Sequence, residues 1–265
     1  MIFVRRVVLW ASTAAVLTCT AAAAGTPPAL TACLDEENPP FSSHVSVAQG
    51  IDVEIAGAIA RILGRELHIF WVQVPARGGF GKALRQSIQA SKCDFFLGIP
   101  DGHEMAAELV DHQLVVTRPY LIVGYILASP PGTKPATLAD AMRAKRIGAL
   151  TATPADLFLH KRQFNRVPYG NNRELLVALR DREIDLALVW SPAIAVQDMA
   201  GAGNQFGIGS EQPDDDSLRS GLAIATRKTD VELMRQIDSA IEGLKVDGAF
   251  AKISEKYGLP YLQSR

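Results

Sequence analysis

Residues 93–128 read CDFFLGIPDGHEMAAELVDHQLVVTRPYLIVGYILA, and this stretch decides the fold. Cys93–Ile99 is an apolar run of strand length, and Pro100–Glu104 is a loop rich in turn-forming residues. A second extended run, Thr117–Leu127, comes later in the same stretch. Strands and helices alternate before the stretch and again after it, which predicts two α/β lobes. We expect the chain to cross here from the first lobe to the second, with the functional site in the cleft between them.

Length and charge narrow the function classes. The chain has 265 residues, of which 48% are hydrophobic, so it can form two modest lobes or one large domain. Its 27 basic and 28 acidic residues nearly cancel, and the basic residues do not cluster into a stripe. Nucleic acid is therefore not expected as a partner.

Residues 1–24 have the composition of a secretory signal peptide. Arg5 and Arg6 give a positive start, residues 7–17 form an apolar core, and residues 21–24 are alanines at the expected cleavage zone. The core is too short for a lasting transmembrane helix, although an uncleaved anchor and lipidation at Cys19 are the alternatives. No later stretch reaches the length of a membrane span. We therefore expect an exported, periplasmic mature chain without one.

Two cysteines, Cys33 and Cys93, follow the predicted signal peptide, and an oxidising compartment permits a disulfide between them. Both lie on or beside predicted strands of the first lobe. Parallel neighbouring strands can hold two such Cα atoms beyond the roughly 7 Å that a disulfide spans. Two buried thiols are the default expectation, and a disulfide is the alternative.

The first lobe offers two candidate ligand contacts in loops that follow strands. In open α/β sheets such loops line the ligand crevice, so Phe41, after the strand Leu30–Leu34, is a candidate stacking surface. The alternative is that Phe41 fills the core of its lobe. Arg77 lies in a glycine-rich turn, Pro75–Gly81, which can hold an anion on its N–H groups. The turn matches neither the dinucleotide fingerprint nor the P-loop pattern, so a plain tight turn is the default.

The second lobe offers hydroxyl groups and an aromatic ring in equivalent places. Thr151 and Thr153 follow a predicted strand, and Thr153 before Pro154 predicts a helix start whose free N–H groups can bind an anion or a carbonyl. The pair can equally be a cap alone. Trp190 ends another predicted strand at the crevice edge, and Ser191 opens the helix after it.

Catalytic patterns are missing from the sequence. The five histidines show no pair at metal-ligand spacing, and neither a Gly-x-Ser-x-Gly elbow nor a catalytic-cysteine signature occurs. Glu104, Asp111 and His112 could supply acid–base groups, but carboxylates near a histidine are common on protein surfaces. We therefore expect a binding protein that is not an enzyme and that needs no metal or cofactor.

Short motifs spread over nearly all of the chain after residue 24 resemble the family 3 periplasmic solute-binding proteins. They are Asn38-Pro39-Pro40-Phe41, Gly50-Ile51-Asp52-Val53, Cys93-Asp94 with Gly98, Thr117-Arg118-Pro119-Tyr120, Arg146-Ile147-Gly148 and Gly221-Leu222-Ala223-Ile224. The resemblance implies an α/β, two-lobe type II periplasmic binding protein fold, in which each lobe is a mixed, mostly parallel sheet flanked by helices. It also implies two hinge crossings, which divide the chain into lobe 1 (residues 25–122 and 222–265) and lobe 2 (residues 123–221).

The ligand implied by that family does not fit this chain. Its usual members bind α-amino acids, with an arginine after the strand corresponding to Asp94–Ile99 and an aspartate at the end of the strand corresponding to Asp185–Trp190. Here residues 99–104 contain no arginine, and Trp190 takes the second position. A zwitterion without either partner loses its charge-assisted hydrogen bonds. An amino-acid ligand is therefore not expected.

A narrower resemblance is to the quinoprotein dehydrogenase-associated binding proteins, the MoxJ/XoxJ-type group encoded with PQQ methanol dehydrogenases. It is carried by Arg77-Gly78-Gly79-Phe80, Lys92–Gly102, Thr117–Tyr120, Val189–Pro192 and Lys256–Pro260. It implies an accessory or maturation role for a PQQ-dependent methanol or alcohol dehydrogenase, which would be a periplasmic partner.

The sequence thus predicts a non-catalytic periplasmic binding protein with an apolar, aromatic cleft. The predicted lining consists of Phe41, Arg77, Ile99, Pro100, Asp101, Tyr120, Thr151, Thr153, Trp190 and Ser191. One alternative is a substrate-binding protein that delivers a small non-amino-acid ligand to an ABC permease. The other is a dehydratase-type enzyme on the same fold, which needs an acid–base carboxylate inside the cleft.

Overall fold

A computed structural model describes residues 27–75, 79–197, 199 and 206–263. The predicted signal peptide and Arg77 lie outside these described residues. Within them, no helix combines the length and the apolar character that a bilayer crossing requires.

The strands in chain order are β1 Leu30–Asp35, β2 Glu37–Asn38, β3 Ser42–Ser43, β4 Leu67–Val72, β5 Phe95–Pro100, β6 Leu114–Val116, β7 Leu121–Ser129, β8 Ile147–Leu150, β9 Arg166–Tyr169, β10 Leu186–Trp190, β11 Gly207–Ile208 and β12 Arg219–Arg227. The α-helices are α1 Ile51–Ile62, α2 Gly81–Gln86, α3 His103–Asp111, α4 Leu138–Arg143, α5 Pro154–Lys161, α6 Asn172–Arg180, α7 Ser191–Gln197, α8 Val231–Val246 and α9 Ala249–Lys256. A short 3-10 helix, Asp216–Leu218, precedes β12.

The main sheet has the order β4-β1-β5-β12-β7-β10-β8-β9, with β6 beside β12 and β11 beside β7. Strand β1 is parallel to β4 and β5, and β8 is parallel to β9 and β10, whereas β12 and β7 are antiparallel to their neighbours. We call the half from β4 to β12 lobe 1 and the half from β7 to β9 lobe 2. The structure therefore confirms the two-lobe α/β architecture with mixed, mostly parallel sheets.

Each lobe has helices on both faces of its sheet. In lobe 1 one core cluster holds residues of α1, α8 and α9, and a second cluster holds residues of α2 and α3. In lobe 2 one cluster holds residues of α4 and α5, and the other holds residues of α6 and α7. This layering explains the wide apolar stripe of α1, which buries Ile55 and Ile59 completely.

The lobes are joined by β7 and β12, which pair with each other at the crossing. Residues 219–222 of β12 pair with residues 121–124 of β7. Beyond this crossing β12 pairs with β5 and β6, while β7 pairs with β10 and β11. We refer to the crossing as the hinge.

The segment Leu259–Gln263 adds a third contact to the hinge that the sequence does not predict. Leu262 forms an antiparallel bridge with Ile122 of β7 and also packs against a lobe 2 core cluster. The Arg219 guanidinium donates to the carbonyl oxygen of Gln263 at 3.1 Å. The chain therefore touches both crossing strands once more before it ends.

Cys33 and Cys93 form a disulfide, with their Cα atoms 5.6 Å apart. This overturns the default expectation of two buried thiols. Strands β1 and β5 do run parallel side by side, but Cys93 lies in the turn that leads into β5 and is not held by the strand register. Both cysteines are buried in the cluster between the sheet and α2 and α3.

The structure differs from two local patterns in the sequence. Residues 103–111 form helix α3, although the sequence suggests only a loop around Pro100–Glu104. Thr229 and Glu232 predict a capping box, yet α8 begins at Val231 after Asp230, with no side-chain hydrogen bond at the cap.

Candidate functional site

Two aromatic rings lie side by side where lobe 2 meets the hinge. Trp190 at the end of β10 is the register partner of Tyr125 in β7, and their ring centroids are 5.1 Å apart at an interplanar angle of 54°. Both side chains are half-buried, so part of each ring faces solvent. Trp190 also packs against the lobe 1 core cluster. The ring pair therefore lies at the boundary between the lobes, where the sequence places the cleft.

Thr153 connects the ring pair to the N-terminus of α5. Its hydroxyl donates to the carbonyl oxygen of Leu150 at 2.6 Å and caps α5 by accepting from the N–H of Asp156. Burial raises the pKa of the Tyr125 phenol, and a hydrogen bond with Thr153 acts in the opposite direction. Sequence reasoning missed Tyr125 because a tyrosine in an apolar strand looks like core.

Thr151 is exposed beside this helix start. Its hydroxyl donates to the carbonyl oxygen of Tyr169 at 2.9 Å, which leaves the oxygen's lone pairs free to accept from a ligand. Pro154 has no N–H to offer at the first position of α5. The N–H groups of Thr151 and Ala152 already donate to Tyr169 and Asp156, so the polar group left exposed here is the Thr151 hydroxyl.

Two predicted cleft residues of lobe 1 belong to its core. Phe41 is 7% exposed and packs in the cluster between the sheet and α1, and Ile99 is fully buried in the cluster on the opposite face. The expectation that Phe41 offers a stacking surface is not met, because the ring fills the core of its own lobe. We therefore leave both residues out of the proposed site.

Tyr120 is also buried, at 2% exposure, and its phenol serves a buried carboxyl group. The Tyr120 hydroxyl donates to Asp52 Oδ1 at 2.7 Å and accepts from the N–H of Gly98 at 3.1 Å. Burial raises the pKa of Asp52 to about 7, and the hydrogen bond from Tyr120 acts against this shift. Because its polar group is used inside lobe 1, Tyr120 is likewise left out of the proposed site.

Ser191 follows Trp190 and forms a hydrogen bond with Gly124, the residue before Tyr125. Its side chain is fully buried, and its hydroxyl accepts from the N–H of Gly124 in β7 at 3.3 Å. This contact fixes the start of α7 against the hinge. The ligand contact of Ser191 stays a prediction, and the described role of its hydroxyl is this contact with β7.

Pro100 and Asp101 lie at the end of β5, at the lobe 1 side of the hinge. Pro100 is half-buried and pairs with Leu222 of β12. Asp101 is exposed as a residue, but its carboxylate accepts from the N–H of Gly221 at 2.6 Å. The structure therefore brings Pro100 and Asp101 to the hinge and leaves Pro100 with surface to offer.

Apart from the ring pair, lobe 1 has an open cavity at the ends of β1 and β4. It has a volume of about 450 Å³ and is lined by Asp35, Glu36, Glu37, Gln73, Val74, Pro75, Lys82 and Gln86. Burial raises the pKa of Asp35, against backbone hydrogen bonds that lower it. These residues lie at the carboxyl edge of the parallel strands, where α/β sheets bind ligands.

The glycine-rich turn faces an internal carboxylate in its described part. A Cβ atom on Gly81 would collide with the Glu108 carboxylate of α3, and one on Gly79 would lie 3.5 Å from it. His112, one helical turn beyond Glu108, forms a hydrogen bond between its Nδ1 and Oε1 of Gln89 at 3.1 Å. These groups lie inside lobe 1, away from the ring pair, so they supply no acid–base group to the boundary between the lobes.

The arrangement is suited to binding. Over the described part of the chain, no group of three or more His, Cys, Asp or Glu side chains could hold a metal ion. The boundary between the lobes offers ring faces and the exposed Thr151 hydroxyl, groups of the kind that hold a small molecule by stacking and hydrogen bonds.

The chain is similar in sequence to known binding proteins. The sequence profile of the bacterial extracellular solute-binding proteins, family 3, matches residues 30–260. A relative described as the putative ABC transporter arginine-binding protein 2 of Escherichia coli K12 is 24% identical over 224 residues, which cover 83% of this chain and 86% of that protein.

Solved structures share the fold. The second substrate-binding domain of a putative amino acid ABC transporter from Streptococcus pneumoniae superposes with a TM-score of 0.68 at 22% identity, covering 86% of this chain and 99% of that one. The L-cystine solute receptor of Neisseria gonorrhoeae gives a TM-score of 0.70 at 19% identity, covering 89% and 96%.

Proposed function

This chain belongs to family 3 of the bacterial extracellular solute-binding proteins, and we propose that it captures a small, non-amino-acid ligand for an ABC permease. As a member of that family it is a non-catalytic binding protein. The observation that carries the proposal is the half-buried Tyr125–Trp190 ring pair. Tyr125 lies on β7, which crosses between the lobes, and Trp190, at the end of β10, packs against the lobe 1 core cluster. A ligand held between these rings and Pro100 at the end of β5 would touch both lobes, which is the requirement for capture by closure.

The proposed ligand class follows from the residues that stand where an amino-acid receptor has its charged ligand contacts. An α-amino acid needs a cation for its carboxylate and an anion for its ammonium group. Trp190 stands at the end of β10, residues 99–104 contain no arginine, and the Asp101 carboxylate is engaged by the hinge. We propose that the site holds a small ligand with an apolar or planar body and a hydroxyl or carbonyl group, bound between the rings, Pro100, Thr151 and Thr153. Arg77 as a charged ligand contact stays a prediction from the sequence.

Ligand specificity is tested with the amino acids that the similar proteins suggest. Arginine and cystine at 1 mM are expected to leave the melting temperature unchanged. Small molecules released by denaturing the natively purified protein, identified by mass spectrometry and added back, should raise it. A ligand at about 100 times its Kd adds roughly 2.7 kcal/mol of stability. Stabilisation by one of the amino acids would refute the ligand class while leaving solute capture intact.

Truncating Trp190 should remove most of the affinity. Trp190→Ala is expected to weaken binding of the ligand found in that screen by roughly 30-fold, because buried aromatic anchors commonly contribute about 2 kcal/mol or more. Trp190→Phe should keep most of the affinity. Isothermal titration calorimetry measures both variants, and circular dichroism checks that each is folded. Unchanged affinity in Trp190→Ala would remove Trp190 from the site.

Fluorescence offers an independent readout of the same site. Beyond residue 24 the sequence has two tryptophans, Trp71 and Trp190. Trp71 stacks on His44 with centroids 5.0 Å apart, well separated from Trp190 along the sheet. The variant Trp71→Phe therefore reports on Trp190 alone and serves as the matched control for Trp190→Phe.

The partner and the compartment are proposed on the same basis. Export to the periplasm by residues 1–24 accords with an extracellular binding-protein family. The dehydrogenase-accessory role stays a prediction from resemblance, since the similar proteins reported above are described as transporter or solute-receptor components. Co-purification under native conditions separates the two: recovery of permease subunits supports the proposal, and recovery of a PQQ-dependent dehydrogenase supports the accessory role.

A further inference from the structure

Asp101 ties the loop after β5 to β12 at the point where β12 leaves lobe 1. The N–H of Gly221 donates to Asp101 Oδ1 at 2.6 Å, and the Ser220 hydroxyl donates to the same oxygen at 3.2 Å. In return, the N–H of Asp101 donates to the carbonyl oxygen of Gly221 at 2.8 Å. We call Asp101, Ser220 and Gly221 the hinge clamp. Asp101 thus engages the strand with both its backbone and its carboxylate.

The clamp depends on the absence of a side chain at position 221. A Cβ atom there would lie 2.5 Å from Asp101 Oδ2 and 2.7 Å from Cγ of Pro119. Real Cβ atoms do not come so close to other atoms, so any larger residue must push the carboxylate or the proline away. Only glycine lets β12 pass between Asp101 and Pro119 at this distance.

The clamp is located where lobe motion must be absorbed. Leu222 pairs with Pro100 of β5, whereas Gly221 pairs with Ile122 of β7. Gly221 is therefore the residue of β12 at which pairing with β5 has stopped and pairing with β7 continues. Hinge closure changes the backbone dihedrals of a few residues at such strand crossings. Hydrogen bonds from Asp101 resist those changes directly.

We infer that Asp101 is a positioning residue of the hinge, whose carboxylate holds β12 in the lobe arrangement seen here. It thereby sets how readily the lobes move. A hydrogen bond to an ionised acceptor shifts a two-state equilibrium by roughly 10- to 100-fold when it is removed. The inference goes beyond solute capture and concerns the ligand-free protein, so it can hold or fail independently of the ligand class.

Hydrogen–deuterium exchange on the ligand-free protein tests the clamp. In Asp101→Ala, the amides of residues 219–224 are expected to exchange roughly 10- to 100-fold faster, while those of β1 and α1 keep their rates. Small-angle X-ray scattering should show a changed distance distribution between the lobes. Asp101→Asn keeps an oxygen acceptor for Gly221 but loses the charge, so its exchange rates should fall between those of Asp101→Ala and wild type. Asp111→Ala, which removes another exposed carboxylate of lobe 1, is the matched control and should change neither measurement.

Two results would overturn the inference. Exchange that rises equally in all of lobe 1, with unchanged scattering, would mean that Asp101 only stabilises the fold. Unchanged exchange and scattering combined with weaker binding would mean that Asp101 contacts the ligand instead. Should Asp101→Ala fail to fold, Gly221→Ala displaces the same carboxylate, and the same local rise in exchange is expected.

Discussion

Replacing both Cys33 and Cys93 by serine is expected to lower the free energy of unfolding by about 4 kcal/mol. The disulfide joins residues 60 positions apart. Closing a loop of that length lowers the conformational entropy of the unfolded chain, which stabilises the folded state by about 4 kcal/mol. For a chain of this size each kcal/mol corresponds to about 2–4 °C in melting temperature. The double variant should therefore melt about 10 °C below the oxidised protein, as measured by circular dichroism in the chain that starts at Gly25.

Reduction provides the control for this substitution. Wild-type protein in excess phosphine reductant should melt close to the double variant, because both lack the cross-link. The reductant should leave the melting temperature of the double variant unchanged. Equal melting temperatures for oxidised and reduced wild type would show that the two sulfurs are not bridged in solution.

The buried carboxyl group of Asp52 should make the stability of lobe 1 depend on pH. Burial raises its pKa to about 7 in the folded protein, from an ordinary value of 3.8. The folded state therefore binds the proton more tightly than the unfolded state does. The stabilisation is complete below about pH 4 and is lost as the pH rises through about 7, at a total cost of roughly 4 kcal/mol.

Asp52→Asn isolates this effect. The asparagine keeps an oxygen that accepts from the Tyr120 hydroxyl, but it has no charge to bury at high pH. Urea unfolding of both proteins between pH 4 and pH 8 is expected to show wild type falling by several kcal/mol relative to the variant. The difference between the two curves removes the contribution of other titrating groups. Parallel curves would contradict the prediction.

The sequence predicts the lobes well because their signals are local. Apolar strands, helix caps and turn residues repeat in order, and Thr153 with Pro154 begins α5 as the pattern indicates. The type of each element depends on a few neighbouring residues. The pattern at Thr229 and Glu232 shows the limit, because the Thr229 hydroxyl donates to Asp230 Oδ1 at 3.1 Å and α8 begins without a side-chain cap.

The site is harder to predict because burial is a property of the whole fold. Phe41, Ile99 and Tyr120 lie near strand ends, as cleft residues do, but their side chains point into lobe 1. Tyr125 was missed for the opposite reason, since nothing in an apolar strand marks one ring as half-exposed. The contact between Cys33 and Cys93 depends on the path of a turn, which spacing alone does not reveal.

The bridge between Leu262 and Ile122 has a practical consequence for protein engineering. A reporter domain fused directly after Gln263 would be attached next to the hinge. It would therefore be expected to disturb the contacts of Leu262 and Gln263 with β7 and β12. A fluorescent sensor built from this protein should instead carry one reporter in the exposed turn around Gly132. A fusion after Gln263 would instead serve to report changes at the hinge, because its attachment point contacts β7 and β12.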